Sequence, residues 1–393
     1  MTHRNAGPPA NTRRAPETKG VIALAGMLDF GASAGGYVAL SRNGFMRNPV
    51  AHRCVRLVAE PAAAVPWLLF EGEAEHDAHP ALDLLGRPNP RQPGAALLEA
   101  IYGHLLLAGD AFVETVSQEG EPREIYAIRP DRVEIETDAR GWPAAYVVRQ
   151  AASKRRIAVG DGPASILHLA LFHPLDDLRG HAPAEAALGA LDVLNAANRW
   201  NKALLENAAR PSGALVYAPR EGGNMTTDQF DRLKAELESG YQGAINAGRP
   251  MLLEGGLDWK AMSLSPQEMD FQEARNGAAR EIALAFGVPP MLLGIPGDNT
   301  YANYAEANRA LLRLTVLPLV ARTSAALGHW LGEWFGAPLR LTYDADAIPG
   351  LSTEREALWS RLGEANFLSR DEKRVAVGYP PDGSEGNAEG DAP

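Results

Sequence analysis

Three groups of residues have types and spacings that could do chemistry. Gly31-Ala32-Ser33-Ala34-Gly35 fits G-x-S-x-G, the spacing that raises a serine nucleophile on a sharp turn between a buried strand and a helix. That chemistry also needs a histidine and an acid delivered from elsewhere, and Ala- and Gly-rich sequence produces the pattern by chance. A serine hydrolase using Ser33 is therefore kept as an alternative only. His168, His173 and His181, with Asp176 and Asp177 between them, are the densest set of metal-ligating types. They form neither H-E-x-x-H nor a paired Cys/His box, and His173-Pro174 reads as a turn, so no metal is expected. Lys154-Arg155-Arg156 lies on an expected loop, where three successive cations are more often a solvated strand end than a phosphate site. With no P-loop, zinc box or paired catalytic carboxylates, the expectation is a protein that is not an enzyme and takes no cofactor.

The bulk properties are those of a globular chain. Of 393 residues, 46% are hydrophobic and 22% charged, enough for one large or two to three small domains. A net charge of −11 argues against a surface that grips nucleic acid by counterion release, though not against a channel through which DNA slides. The single cysteine, Cys54, excludes an internal disulfide and fits assembly in a reducing cytoplasm. It shares a helical face with Val50, Leu57 and Val58 and reads as core. No apolar run approaches the roughly 20 residues of a membrane span, so no membrane partner is expected. Val21 to Leu28 is short and followed by Asp29, which reads as a non-secreted arm.

The elements that must position anything functional follow from periodicity and punctuation. Residues 1–44 are rich in Pro, Gly and Ala and are expected to be a flexible arm. Asn48-Pro49 opens a helix, Gly94 to Leu107 is another, and Ala111–Val116, Val133–Glu136, Ala145–Arg149 and Ser165–Leu169 read as strands of a small α+β domain. A long helix spans Pro183 to Ala209. A compact unit comes next, with a strand at Ala214–Tyr217, a helix from Thr227 to Gly240, and strands near Met251–Leu253 and at Trp259–Met262. Ser265-Pro266 starts a further helix whose apolar stripe is Phe271, Ala274, Ala278, Ile282 and Phe286, with Glu268, Gln272 and Arg275 on another face. Gly287 and Pro289-Pro290 end it. A turn-rich stretch leads to a helix from about Ala305 to Phe335, kinked at Pro318, whose Trp330 and Trp334 are spaced for packing rather than for stacking bases. Leu339–Tyr343 is a strand, and Ser369 with Glu372 has capping-box spacing.

Several blocks carry a family resemblance. SLSPQEMDFQEARNGAAREIALAFGVPPMLLG followed by NTYANYAEANRALLRLTVLPLV is similar to portal proteins of tailed phages of the HK97-like family. NPVAHRCVRLVAEPAAAVPWLLF, RPSGALVY and FLSRDEKRVAVGYPP resemble further blocks in family order, with Tyr379 where leucine is commoner. The resemblance implies a portal fold: an α+β wing (45–182), stem helices (183–210 and 264–288), a small αβ clip (211–263), a tunnel loop (289–304), a long wing or crown helix with a return strand (305–345), crown-like helices (346–381) and a disordered tail (382–393). It further implies a dodecameric ring at a capsid vertex of a virion or phage-like particle, assembled in a bacterial cytoplasm, with double-stranded DNA passing through. Expected partners are the major capsid protein, the terminase large subunit and a head-completion adaptor. The implied tunnel-loop residues are Gly297, Asp298, Asn299, Thr300, Tyr301, Ala302, Asn303 and Tyr304. Glu268, Gln272 and Arg275 would face the channel, and Arg210, Ser212, Gly213 and Arg249 would belong to the docking clip. A cytoplasmic scaffold or adaptor without a channel is the other alternative. Infectious phage, gene transfer agent and defective prophage stay open.

Overall fold

Asn48 opens the first long helix. Its side-chain oxygen accepts from the N–H groups of Val50 and Ala51 at 3.0 and 3.1 Å, and Pro49 takes the first helical position, where no N–H is needed. The computed structural model describes residues 36–151, 153–160, 162–206, 213–217, 226–241, 257–261, 271–295 and 301–379. A helical turn, α1 (Tyr37–Ala39), and a π-helical stretch at Leu40–Phe45 precede that helix. Residues 36–44 of the expected arm are thus not an arm, and the rest of it lies outside the described residues. Leu40 is buried and the Tyr37 hydroxyl meets His104 Nδ1 at 3.1 Å, so burial draws this segment into the body. Ser33 and its motif lie outside the described residues.

Helix α2 (Pro49–Ala63) buries Cys54, Val55, Val58 and Ala62 at helical spacing and packs on the helix at 94–108, α4. Burial pushes the Cys54 thiol up to about 12, so it is a core residue with no thiolate at neutral pH. The hairpin β1 (Trp67–Glu71) and β2 (Ala74–His76) leads through α3 (Pro80–Gly86) to α4 (Gly94–Ala108). Gly109 caps α4 in the left-handed region at φ 74, and the chain turns directly into β3 (Asp110–Gln118). A Cβ at Gly109 would lie 2.3 Å from the backbone of Gly180, so the two segments meet there only because both residues are glycine.

The strands β4 (Glu121–Ile128), β5 (Val133–Thr137), β6 (Pro143–Arg149), β7 (Lys154–Ala158) and β8 (Ile166–Ala170) complete two antiparallel sheets, ordered β4-β3-β8 and β5-β6-β7. Phe112, Val133, Tyr146, Val148 and Ile166 form a second, smaller core from strands of both. The basic run is not on a loop: Lys154, Arg155 and Arg156 sit on edge strand β7. Arg155 pairs with Glu114 at 2.5 Å, Arg156 with Glu136 at 2.6 Å, and Lys154 lies 4.0 Å from Glu134. Carboxylates contributed by β3 and β5 make this cationic strand stable as an edge.

The expected helix from Pro183 divides at Ala187 into α5 (Pro183–Ala186) and α6 (Leu188–Glu206). Strand β9 (Gly213–Tyr217), helix α7 (Thr227–Tyr241) and strand β10 (Leu257–Ala261) come next, with β9 and β10 paired antiparallel from Gly213↔Ala261 to Tyr217↔Leu257. Helix α8 (Phe271–Ala285) packs against α6.

The last long helix begins earlier than expected and is interrupted rather than simply kinked. Helix α9 (Tyr301–Leu311) runs into a π-helical stretch, Leu312–Val316, and continues as α10 (Leu317–Phe335). Pro318 has no N–H for the carbonyl four residues back, so the turn before it relaxes to a wider bonding pattern. By length and composition the helix from Asn303 to Phe335 is long and apolar enough to cross a membrane. Val316, Val320, Leu327 and Trp330 nevertheless bury its apolar face in protein, and the indole N–H groups of Trp330 and Trp334 both donate to Ala164 O. Gly328 and Gly332 let α10 lie against β11 (Leu339–Tyr343): a Cβ at Gly328 would stand 2.8 Å from Leu341 N. β11 then pairs with β1, giving the sheet order β11-β1-β2. Helices α11 (Ser352–Glu364) and α12 (Arg370–Val377) close the described chain, and the capping box of Ser369 and Glu372 is formed. The class is α+β, with one main core and the small sheet-to-sheet core beside it.

Candidate functional site

The helix pair α6–α8 and the connection from α8 to α9 are the elements expected to matter. On α8, Ala278, Ala279, Ile282, Ala283 and Phe286 are buried, a stripe that alanines make thin enough for close approach to α6. Gln272 is exposed. Arg275 is not on a purely water-facing surface. It precedes Ala278 and Ala279 on the buried stripe, is half-buried, and its Nε is buried with no hydrogen-bond partner among the described residues. Ala274, expected in the packing stripe, is exposed instead, because the stripe is rotated by one residue toward 275, 279 and 283. Glu268 lies outside the described residues.

The helix end is built to stop. Gly287 is left-handed at φ 65 and Val288 N–H donates back to Ala283 O at 2.8 Å, closing a Schellman-type cap. Thr315 from the π-helical stretch donates its hydroxyl to Gly287 O at 2.7 Å, and a Cβ at Gly287 would meet that hydroxyl at 2.6 Å. The connection therefore leaves from a fixed point on the body. Pro290–Leu293 forms one 3-10 turn, ended by Gly294 at φ 70, and Ile295 is buried.

Of the expected tunnel-loop residues, Gly297, Asp298, Asn299 and Thr300 lie outside the described residues. Tyr301, Ala302, Asn303 and Tyr304 are not loop: they form the first turn of α9. Nothing in Tyr-Ala-Asn-Tyr opposes a helix, and Asn308 Nδ2 donates to Tyr304 O at 3.1 Å within it. Asn303 and Tyr304 are exposed. In the unit expected to be the clip, Gly213 starts β9, whereas Arg210, Ser212 and Arg249 lie outside the described residues. Thr226 accepts from Gln229 N–H at 3.4 Å and donates its own N–H to Gln229 Oε1 at 3.0 Å, capping α7.

The three histidines and Asp176, considered for a metal together with Asp177, have other partners. His168 Nε2 is 2.9 Å from Asp110 Oδ1, His181 Nδ1 is 2.9 Å from Glu185, and His173 Nδ1 accepts from Leu175 N–H at 3.1 Å. Asp176 accepts from the N–H groups of Leu178 and Arg179, and the first of these bonds holds its carboxyl below the usual range. Among the described residues no group of three or more His, Cys, Asp or Glu could hold a metal ion.

The residue that sequence reasoning missed is Asp110. It is buried, accepts from Gly180 N–H at 2.8 Å, contacts His168, and lies 3.5 Å from Arg179, whose other nitrogen donates to Val133 O at 2.7 Å. One carboxylate thus ties β3, β8, the segment before α5 and the neighbouring sheet together. Its only sequence signal is a charged residue directly after a helix-ending glycine.

Comparison with known proteins places this arrangement. Residues 49–378 match the phage portal protein family. A chain from the neck of an empty gene transfer agent particle, solved with C6 symmetry, is 53% identical with a TM-score of 0.70, over 88% of this chain and 94% of that one. A chain from the neck of a native gene transfer agent particle, solved with C12 symmetry, is 51% identical with a TM-score of 0.68, over 90% of this chain and 98% of the other. The portal protein of Enterobacteria phage HK97 is 23% identical over 84% of this chain and 78% of its own length. A family match across residues 49–378, together with this likeness to solved chains, means that the chain belongs to the phage portal protein family.

Proposed function

We propose that the chain is one subunit of a closed ring, a dodecamer, at one vertex of a phage or gene transfer agent capsid, with a bore through which double-stranded DNA is packaged and ejected. The observation that carries this reading is its identity of more than half with chains from gene transfer agent necks, along about nine-tenths of its length. A physical feature agrees: Leu284 on α8 and Leu314 in the π-helical stretch are 79% and 76% exposed, surface that a subunit covers by a head-to-tail contact repeated around a ring. The unit from β9 to β10 serves as the clip that docks the terminase large subunit and later a head-completion adaptor, and the body meets the major capsid protein. The role is positional, with no catalytic residue. Electron microscopy of the purified protein, alone and with capsid protein, tests it. Annular particles with a channel wide enough for a duplex are expected, and compact monomers under both conditions would refute it.

A further inference from the structure

Helices α11 and α12 enclose a cleft of about 480 Å³ near the end of the described chain. Trp359 and Leu362 of α11 form one wall, and Arg370, Lys373, Arg374 and Val377 of α12 line the other. Positions 370, 373, 374 and 377 share a helical face, so three cations and one buried valine point the same way. The cleft is firmly built. Its second helix is held by the Ser369–Glu372 capping box and by Arg355, which donates to Val377 O at 2.7 Å and binds the Asp346 carboxylate. Tyr379 closes one end, its hydroxyl donating to Asp346 Oδ2 at 3.1 Å and its ring 6.1 Å from that of Trp359, edge to face.

The chain beyond Tyr379 is complementary to this wall. Residues 380–393 begin with Pro380-Pro381, carry Asp382, Glu385, Glu389 and Asp391, and have no lysine or arginine. We propose that the cleft is the docking site of the chain's own residues 380–393, with Pro380-Pro381 against the Trp359–Tyr379 pair and Asp382 and Glu385 against Lys373 and Arg374. A Pro-Pro pair has polyproline II geometry before it binds, which suits an aromatic-lined groove. Asp382 is three residues beyond Tyr379, an extended reach of about 10 Å, so the tether alone supplies a high local concentration. The ion pairs are partly exposed and individually weak, so the tail is held reversibly and salt releases it.

The test uses a fluorescent peptide of residues 380–393 and the chain ending at Tyr379. The peptide is expected to bind that chain, with affinity falling about tenfold in the double variant Lys373→Gln, Arg374→Gln, as the loss of two modest ion pairs requires. Raising the salt should weaken binding in the same direction. A peptide with Asp382→Asn and Glu385→Gln should lose a similar factor, and this arm holds even where the helix variants fold poorly. The full-length chain should bind added peptide more weakly than the shortened one, since its own tail competes. Absence of binding, equal binding of the neutralised peptide, or capture of duplex DNA by this cleft in place of the peptide would overturn the proposal.

Discussion

At Asp110, a single buried carboxylate does what a longer interface would otherwise have to do. Removing it leaves the Gly180 N–H, the His168 ring and the Arg179 guanidinium without their common partner. Asp110→Ala should therefore destabilise the protein by about 3–5 kcal/mol, the range for breaking one partner of a buried charged pair. Urea unfolding followed by circular dichroism measures this, and a loss under about 1 kcal/mol would contradict it. His104 supplies a second test. Burial, with Arg129 adding to it, lowers its pKa to about 4 from an unfolded value of 6.5. The unfolded chain thus binds a proton between those values while the folded chain does not, so the stability is present above pH 6.5 and drains away as pH falls toward 4. About 2 kcal/mol should be lost between about pH 7 and pH 5 through this group alone. His104→Asn should flatten that part of the pH–stability curve, and an unchanged slope would remove His104 as its source.

Among the elements, those signalled by neighbouring residues were legible in the sequence. The Asn48-Pro49 start, the Ser369–Glu372 box and the strand Leu339–Tyr343 each depend on residues within a few positions, and the structure keeps them. Strand β7 was not legible, because Lys154-Arg155-Arg156 becomes a strand only when Glu114, Glu134 and Glu136 arrive from elsewhere in the chain. The same holds for Arg275, whose half-burial depends on what packs around α8 rather than on its own helical spacing. At the candidate site, the stop at Gly287 was readable, whereas the pin from Thr315 was not, being 28 positions away. The helical start at Tyr301 changes what a mutation there means. Alanine is the better helix former, so replacing Asn299, Tyr301 and Tyr304 together by alanine should leave α9 and ring assembly intact. DNA protected from nuclease in purified particles should nevertheless fall, since one amide and two phenol groups, of which that of Tyr304 is exposed, are lost from the proposed channel lining. Full protection by the triple variant would reduce the segment to a connector.

For the whole molecule, the exposed leucines separate folding from assembly. Leu284→Glu changes a side chain that is 79% exposed, so the protomer's own stability should move by no more than about 0.5 kcal/mol. In a ring the same charge recurs at each interface and must be desolvated there. Mass photometry should find monomers or small oligomers in place of rings, and unimpaired rings would show that Leu284 lies outside the contact. The pairing of β1 with β11 reaches further still, into the time course of synthesis. Leu69 faces Leu341 across that ladder, so the sheet that buries it lacks its second major strand until translation has passed Tyr343. At about 5–20 residues per second, a ribosome leaves Leu69 and Phe70 waiting for roughly 15–50 s. A nascent chain cut short anywhere before β11 therefore offers an open edge of β1 instead of the finished sheet β11-β1-β2. Every incomplete product thus differs from the finished chain in one unpaired, apolar strand edge.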